Sequence, residues 1–155
     1  MQPTSLNEHP EGGRFQEVFR SQVRVTTGSG SERSALTHIY FSLAPGEVSR
    51  FHKVASDEVW NLYEGTGLRL HQWNEHSGVL SCIELGVHQR EYCHVVPAGF
   101  WQAAEPLDEA ALVGCTVGPG FEFDDFELIN EDSELAARLL KLEPSMERFV
   151  RQAKP

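Results

Sequence analysis

The chain is short of several things, and each shortage removes a class of function. It has only three cysteines in 155 residues, Cys82, Cys93 and Cys115. The count is odd and no Cys-x-x-Cys spacing occurs, so zinc fingers, dithiol redox pairs and a secreted disulfide framework lack support. The three read as small buried thiols in strands. Basic residues are also scarce: 13 Lys and Arg stand against 23 Asp and Glu, a formal net charge of −10. Without a run of Lys or Arg, such a surface repels a phosphate backbone and an anionic membrane. No apolar window reaches membrane-spanning length, and the Met1–Leu6 start has neither a basic beginning nor the apolar stretch of a signal peptide. The expectation is a reduced, cytoplasmic protein with a small-molecule partner, no nucleic acid and no membrane.

Helical periodicity is missing from most of the chain. From about residue 14 to residue 128 it reads as short β segments separated by turns such as Pro45-Gly46, Gly65-Thr-Gly67 and Ser77-Gly78. The predicted strands are Arg14–Val25, Leu36–Leu43, Glu47–His52, Val59–Tyr63, Leu68–Trp73, Leu80–Leu85, Cys93–Val96, Trp101–Ala104 and Ala111–Val117. Thr27–Arg33 is the expected mobile loop. Dense, evenly spaced strands without helices between them predict an all-β sandwich or barrel. The period changes near the end. Ser133–Leu142 repeats apolar residues at helical spacing behind a Ser133 N-cap, and Pro144 stops it. The chain is therefore read as a single domain over 1–155, with a barrel over about 14–128 and a short helical appendage over about 132–153.

Two glycine-bracketed stretches carry the chemistry. One is Gly46-Glu-Val-Ser-Arg-Phe-His52-Lys-Val54-Ala-Ser-Asp-Glu58-Val-Trp60 running to Gly65, and the other is Pro97-Ala-Gly99-Phe-Trp101-Gln102. Gly46, His52, Glu58 and Gly65 fall in register with the first motif of the cupin barrels, and Pro97 and Gly99 with the second. Further stretches, His9-Pro-Glu-Gly-Gly13 and Gly114-Cys-Thr-Val-x-Pro119-Gly-Phe121, resemble the uncharacterised fifth class of cupins, which is grouped with the deoxysugar-nucleotide 3,5-epimerases. The resemblance implies a double-stranded β-helix, or jelly roll, with a ligand-sized cavity, and a homodimer. In such dimers the long first strand can add to the partner's sheet. Two of the four usual metal-ligand positions depart from the pattern: Val54 and Gln102 stand where histidines are expected.

A neutral His accepts a proton, and a nearby Glu can fix its tautomer or stabilise its charged form. That is the minimum apparatus for removing a proton beside a carbonyl. The expected roles are therefore His52 as base and Glu58 as its orienting partner. Gln102, Trp60 and Tyr40 are the expected ligand-binding walls. Trp73 and Trp101 are expected to pack, and His71, His76 and His88 to be solvated near hairpin loops. Turn chemistry makes His9–Gly13 a fixed turn, with a lip over the cavity as the functional alternative. Gly118–Phe126 lacks calcium-loop spacing and reads as a solvated turn.

The leading reading is a cupin that binds a small sugar-like or keto compound; if it is an enzyme, it is an isomerase or epimerase without a metal cofactor. The alternative is a non-catalytic binder or sensor. The second alternative is a metal-dependent cupin enzyme, whose divalent ion would be held by His52, Glu58 and Gln102, with His38 or His94 completing the set.

Overall fold

The computed structural model describes residues 5–152. Its strands are β1 (Asn7–Glu8), β2 (Arg14–Arg20), β3 (Arg24–Thr26), β4 (Glu32–Ser34), β5 (Thr37–Leu43), β6 (Ser49–Val54) and β7 (Asp57–Glu64). They continue with β8 (Gly67–Trp73), β9 (Leu80–Gly86), β10 (Cys93–Val96), β11 (Trp101–Pro106), β12 (Ala111–Gly118) and β13 (Phe126–Leu128). A six-stranded sheet runs in the order β1-β2-β5-β12-β7-β10, and a five-stranded sheet in the order β13-β6-β11-β8-β9. Every pairing is antiparallel. Consecutive strands β6 and β7 sit in different sheets, so the chain turns a corner at Ala55-Ser56 instead of making a hairpin. This all-β, two-sheet winding is the expected jelly roll.

Side chains of alternate parity fill the space between the sheets. Phe41, Trp60, Leu68, Leu70 and Val113 form this inner core. A second core lies outside the five-stranded sheet, where Phe51, Trp73 and Trp101 pack against Leu139, Phe149 and Val150. The latter three come from α1 (Glu134–Leu142) and α2 (Glu147–Val150). Ser133 caps α1 as expected, its hydroxyl accepting from Ala136 N at 3.1 Å. Burying each large side chain of this layer stabilises the fold by about 2 kcal/mol, and that holds the helical appendage on the barrel. Ala153, the last residue of the expected appendage, lies outside the described residues.

Several expectations fail here for physical reasons. The first long strand breaks at Ser21–Val23, where Ser21 N bonds Leu36 O and Ala35 N bonds Val23 O. Thr27–Arg33 is held in the β3–β4 hairpin, and Arg33 pairs with Asp125 at 2.8 Å. His71 is not solvated. It is buried in β8, its ring 4.7 Å from that of Phe149, because the helices cover that face of the sheet. Cys82 and Cys93 are exposed, and only Cys115 is buried. Trp73 and Trp101 pack as expected.

Candidate functional site

The inward face of β6 carries His52 and Val54, and the inward face of β7 carries Glu58 and Trp60. These strands lie in opposite sheets, so His52 and Glu58 meet across the barrel interior. Both are buried, and both line one small cavity. Most of its other walls are apolar, among them Phe15, Ile39, Val54, Val117, Phe121 and Phe126, with His9, Glu11, Thr37 and Cys115 as the remaining lining. Its volume is about 30 Å³, space for one or two waters.

The His52 ring is fixed by a residue that sequence reasoning placed in a turn. Nδ1 lies 2.8 Å from Glu11 Oε2 and 2.7 Å from the Arg50 carbonyl oxygen. Two acceptors at one nitrogen put the proton on Nδ1 and leave Nε2 for the cavity. Phe126 stacks on the ring at 5.6 Å. Glu11 also accepts from the Ser49 hydroxyl, and its other oxygen lies 3.1 Å from His9 Nδ1. Gly12 makes this placement possible. Its φ is 110°, and a Cβ there would collide with the Val48 carbonyl. The His9–Gly13 segment is thus both a fixed turn and a wall of the cavity. Glu11, not Glu58, orients the imidazole.

Glu58 is held differently. Trp60 Nε1 donates to Gln102 Oε1 at 2.7 Å, and Gln102 Nε2 donates to Glu58 Oε1 at 2.6 Å. The indole sets the amide orientation, and the amide sets the carboxyl. Trp60 and Gln102 therefore stand behind Glu58 and do not line the cavity. Tyr40 is not a wall at all. It shares its parity with His38 on the outer face of the six-stranded sheet, where its ring meets Tyr63. Cys115, Phe121 and Phe126 are cavity residues that the sequence reading left as a buried thiol and a solvated turn.

The two buried carboxyls are pushed in opposite directions. Burial raises the Glu58 pKa from its ordinary 4.5 to about 7; the Glu11 charge adds to this, and His52, Gln102 and Cys115 offset part of it. Burial acts on Glu11 too, but the charges of His52 and His9 and the hydrogen bonds of His52 and Ser49 overcome it and hold Glu11 below the usual range. Burial likewise opposes the charged form of His52, yet the Glu11 charge and hydrogen bond win, with help from Glu58, and the His52 pKa is raised. The site therefore favours the charged form of His52 beside Glu11 and faces it with a carboxyl poised between its two states near neutrality.

Residues 1–129 match the family model described as cupin superfamily (DUF985). The chain belongs to this superfamily. Protein SO0799 from Shewanella oneidensis superposes with a TM-score of 0.82 at 33% identity, over 96% of this chain and 92% of that one. A hypothetical protein from Leishmania major gives 0.79 at 30% identity, over 94% and 90%. The uncharacterized protein YML079W of Saccharomyces cerevisiae is 29% identical over 149 residues, 84% of this chain and 73% of its own. Oxalate decarboxylase from Bacillus subtilis shares the fold alone, with a TM-score of 0.59 at 22% identity over 79% of this chain and 30% of that one.

The cupin fold implies a metal, and the donor set here does not fit one. Gln102 spends its amide oxygen on Trp60 and its amide nitrogen on Glu58, and Val54 offers no donor. His38 is turned outward, bonded to Thr116 at 2.8 Å and to Tyr63 at 2.9 Å. His94 bonds Gln72 at 2.9 Å. Among the described residues, no group of three or more His, Cys, Asp or Glu is arranged to hold an ion.

Proposed function

We propose that this cupin binds a small keto compound in the His52–Glu58 cavity and moves a proton at the carbon beside its carbonyl, as an isomerase or epimerase does. The observation that carries the reading is a buried carboxyl, Glu58, with a pKa of about 7 across an apolar cavity from an imidazole whose Nδ1 is committed to Glu11. The roles differ from those the motif suggests. Glu58 in its carboxylate form takes the proton from carbon. The charged His52, held by Glu11, donates from Nε2 to the carbonyl oxygen as negative charge develops there. Glu58 then returns the proton to the face it left, or to the other face once the enol has turned over, and His52 Nε2 takes back the proton it gave to the oxygen, which restores the carbonyl. Gln102 and Trp60 keep the Glu58 carboxyl aimed.

At about 30 Å³ the cavity holds one or two waters, so a compact keto acid enters only when the Phe121–Phe126 wall moves outward, and a sugar requires a larger movement of the same wall. Three free cysteines favour a reducing, cytosolic compartment for this activity. Among the described residues no helix is long and apolar enough to cross a membrane.

Proton washout tests the proposal. Small 2-keto acids are incubated with the protein in deuterated water, and loss of their α-hydrogen signals is followed by NMR. The expected result is catalysed exchange with at least one compound, lost in Glu58→Gln. Ligands that raise the melting temperature without any exchange would establish the binder or sensor reading instead.

A further inference from the structure

We infer that His9 is a further catalytic residue, an acid–base group that serves the face of the reacting carbon opposite Glu58. The role rests on the proton-transfer reading above and goes beyond it. With Glu58 alone, inversion requires the enol to turn over inside the cavity; with a group on each side it does not.

His9 is buried and lines the same cavity as His52 and Glu58. Its turn is closed by His9 N donating to Gly13 O and by Gly12 N donating to His9 O, each at 3.0 Å. Gly13 seals the turn against β5, since a Cβ there would meet the Phe41 ring and the Ser42 carbonyl. The imidazole is then held edge-on by Phe15 at 4.8 Å, Phe41 at 5.9 Å and Phe126 at 5.6 Å. Its Nδ1 lies 3.1 Å from Glu11 Oε1 and 3.3 Å from the Glu11 backbone nitrogen. The carboxylate contact is the shorter and carries the charge, so Nδ1 holds the proton. No other hydrogen bond to this ring is made among the described residues, which leaves Nε2 for the cavity. Glu11 thus holds two imidazoles by their Nδ1 atoms, His9 through Oε1 and His52 through Oε2.

The sheet order sets His9 opposite Glu58. It runs β2-β5-β12-β7, with His9 entering from the β2 side and Glu58 standing on β7. Between them, Ile39 of β5 and Cys115 of β12 pair across the strands and line the cavity floor. β2 and β7 are three strand spacings apart, about 14 Å, so the two groups approach a bound carbon from opposite sides. His52 reaches in from the other sheet. A keto compound whose oxygen meets His52 Nε2 therefore turns one face of its adjacent carbon to Glu58 and the other to His9.

One proton serves the pair. Burial lowers the His9 pKa from its ordinary 6.5, with Glu11 opposing and His52 adding to the shift, and burial raises that of Glu58. Both groups thus favour their neutral forms, His9 as base and Glu58 as acid. From one stereoisomer, His9 Nε2 takes the proton on carbon while His52 Nε2 protonates the oxygen. Glu58 then gives its proton to the other face, and His52 takes back its own, which restores the carbonyl. The site is left with His9 charged and Glu58 as carboxylate, the form that inverts the other stereoisomer by the reverse path.

The test uses each stereoisomer of 3-methyl-2-oxopentanoate, a 2-keto acid with a hydrogen-bearing stereocentre beside its carbonyl. Each is incubated with the protein in deuterated water, and deuterium content and configuration are followed by NMR and chiral chromatography. In the wild type, deuterium should enter the inverted product before it enters recovered substrate, as two bases require. His9→Asn keeps an amide nitrogen for Glu11 Oε1 and removes Nε2. It should slow inversion by about 100-fold or more, while the stereoisomer that Glu58 deprotonates still exchanges with its configuration retained. Deuterium entering recovered substrate as fast as inverted product would overturn the role of His9 and leave the proton-transfer reading standing. Inversion in His9→Asn within a few-fold of the wild type would do the same. Absence of any exchange in the wild type overturns the proton-transfer reading, and this role with it. Circular dichroism checks that His9→Asn is folded; if it is not, the wild-type isotope pattern decides alone.

Discussion

Glu11 Oε2 lies 2.8 Å from His52 Nδ1, so a residue from the first turn of the chain fixes the imidazole in the middle of the barrel. Both groups are buried, and an ion pair broken on one side leaves the other charge without compensation. Glu11→Gln should therefore destabilise the protein by about 3 kcal/mol and lower the His52 pKa. Urea denaturation at neutral pH checks the first effect, and NMR titration of the His52 ring checks the second.

The backbone that delivers Glu11 depends on Gly12. At a φ of 110°, any side chain is strained, and here it would also meet the Val48 carbonyl. Gly12→Ala is expected to cost about 3 kcal/mol. The same His52 titration should move as it does in Glu11→Gln. Unchanged stability with an unchanged His52 pKa would show that the turn tolerates a Cβ and that Glu11 holds its place without it.

Glu58 gives stability a pH dependence of its own. Its pKa is raised from 4.5 to about 7, so the folded state binds this proton more tightly than the unfolded chain does. The contribution is complete below 4.5 and is lost as pH rises through about 7. It amounts to about 3 kcal/mol. Glu58→Gln keeps an oxygen for Gln102 Nε2 and removes the titration. Urea midpoints measured across this range should show the wild type losing stability relative to Glu58→Gln as pH rises, with the two running parallel well above neutrality.

Metal binding is limited by two side chains. Val54→His with Gln102→His supplies the histidines that the cupin pattern places there, at the cost of the Trp60–Gln102–Glu58 chain. Elemental analysis after dialysis against zinc should find stoichiometric ion in this variant and substoichiometric ion in the wild type. Equal, stoichiometric zinc in both would show that His52 and Glu58 recruit ligands by rearrangement.

The parts of this site that depend on local register were legible in the sequence, and those that depend on distant contacts were not. His52, Glu58 and Gln102 sit between glycines that fix their turns, and strand parity then sends them inward. Tyr40 was ambiguous because both faces of β5 are rich in rings and branched chains: Ile39 and Phe41 on one side, His38 and Tyr40 on the other. His71 looked solvated because nothing in its own strand reveals that Phe149 will cover it. Glu11 was missed for the same reason. A Glu beside two glycines and a proline reads as a turn until β6 is folded against it. The signal available was a buried-type motif, His9-Pro-Glu-Gly-Gly13, carrying two ionisable groups where a simple turn needs none.

The central claim is that Glu58 is a cavity carboxyl poised at neutrality. Its side-chain carboxyl carbon, followed by NMR in selectively labelled protein across the acidic to mildly alkaline range, measures this directly. The account predicts a titration midpoint close to 7, absent from Glu58→Gln. A midpoint near the ordinary 4.5 would mean that the carboxyl is hydrated and permanently charged, and would contradict the proton-transfer site described above.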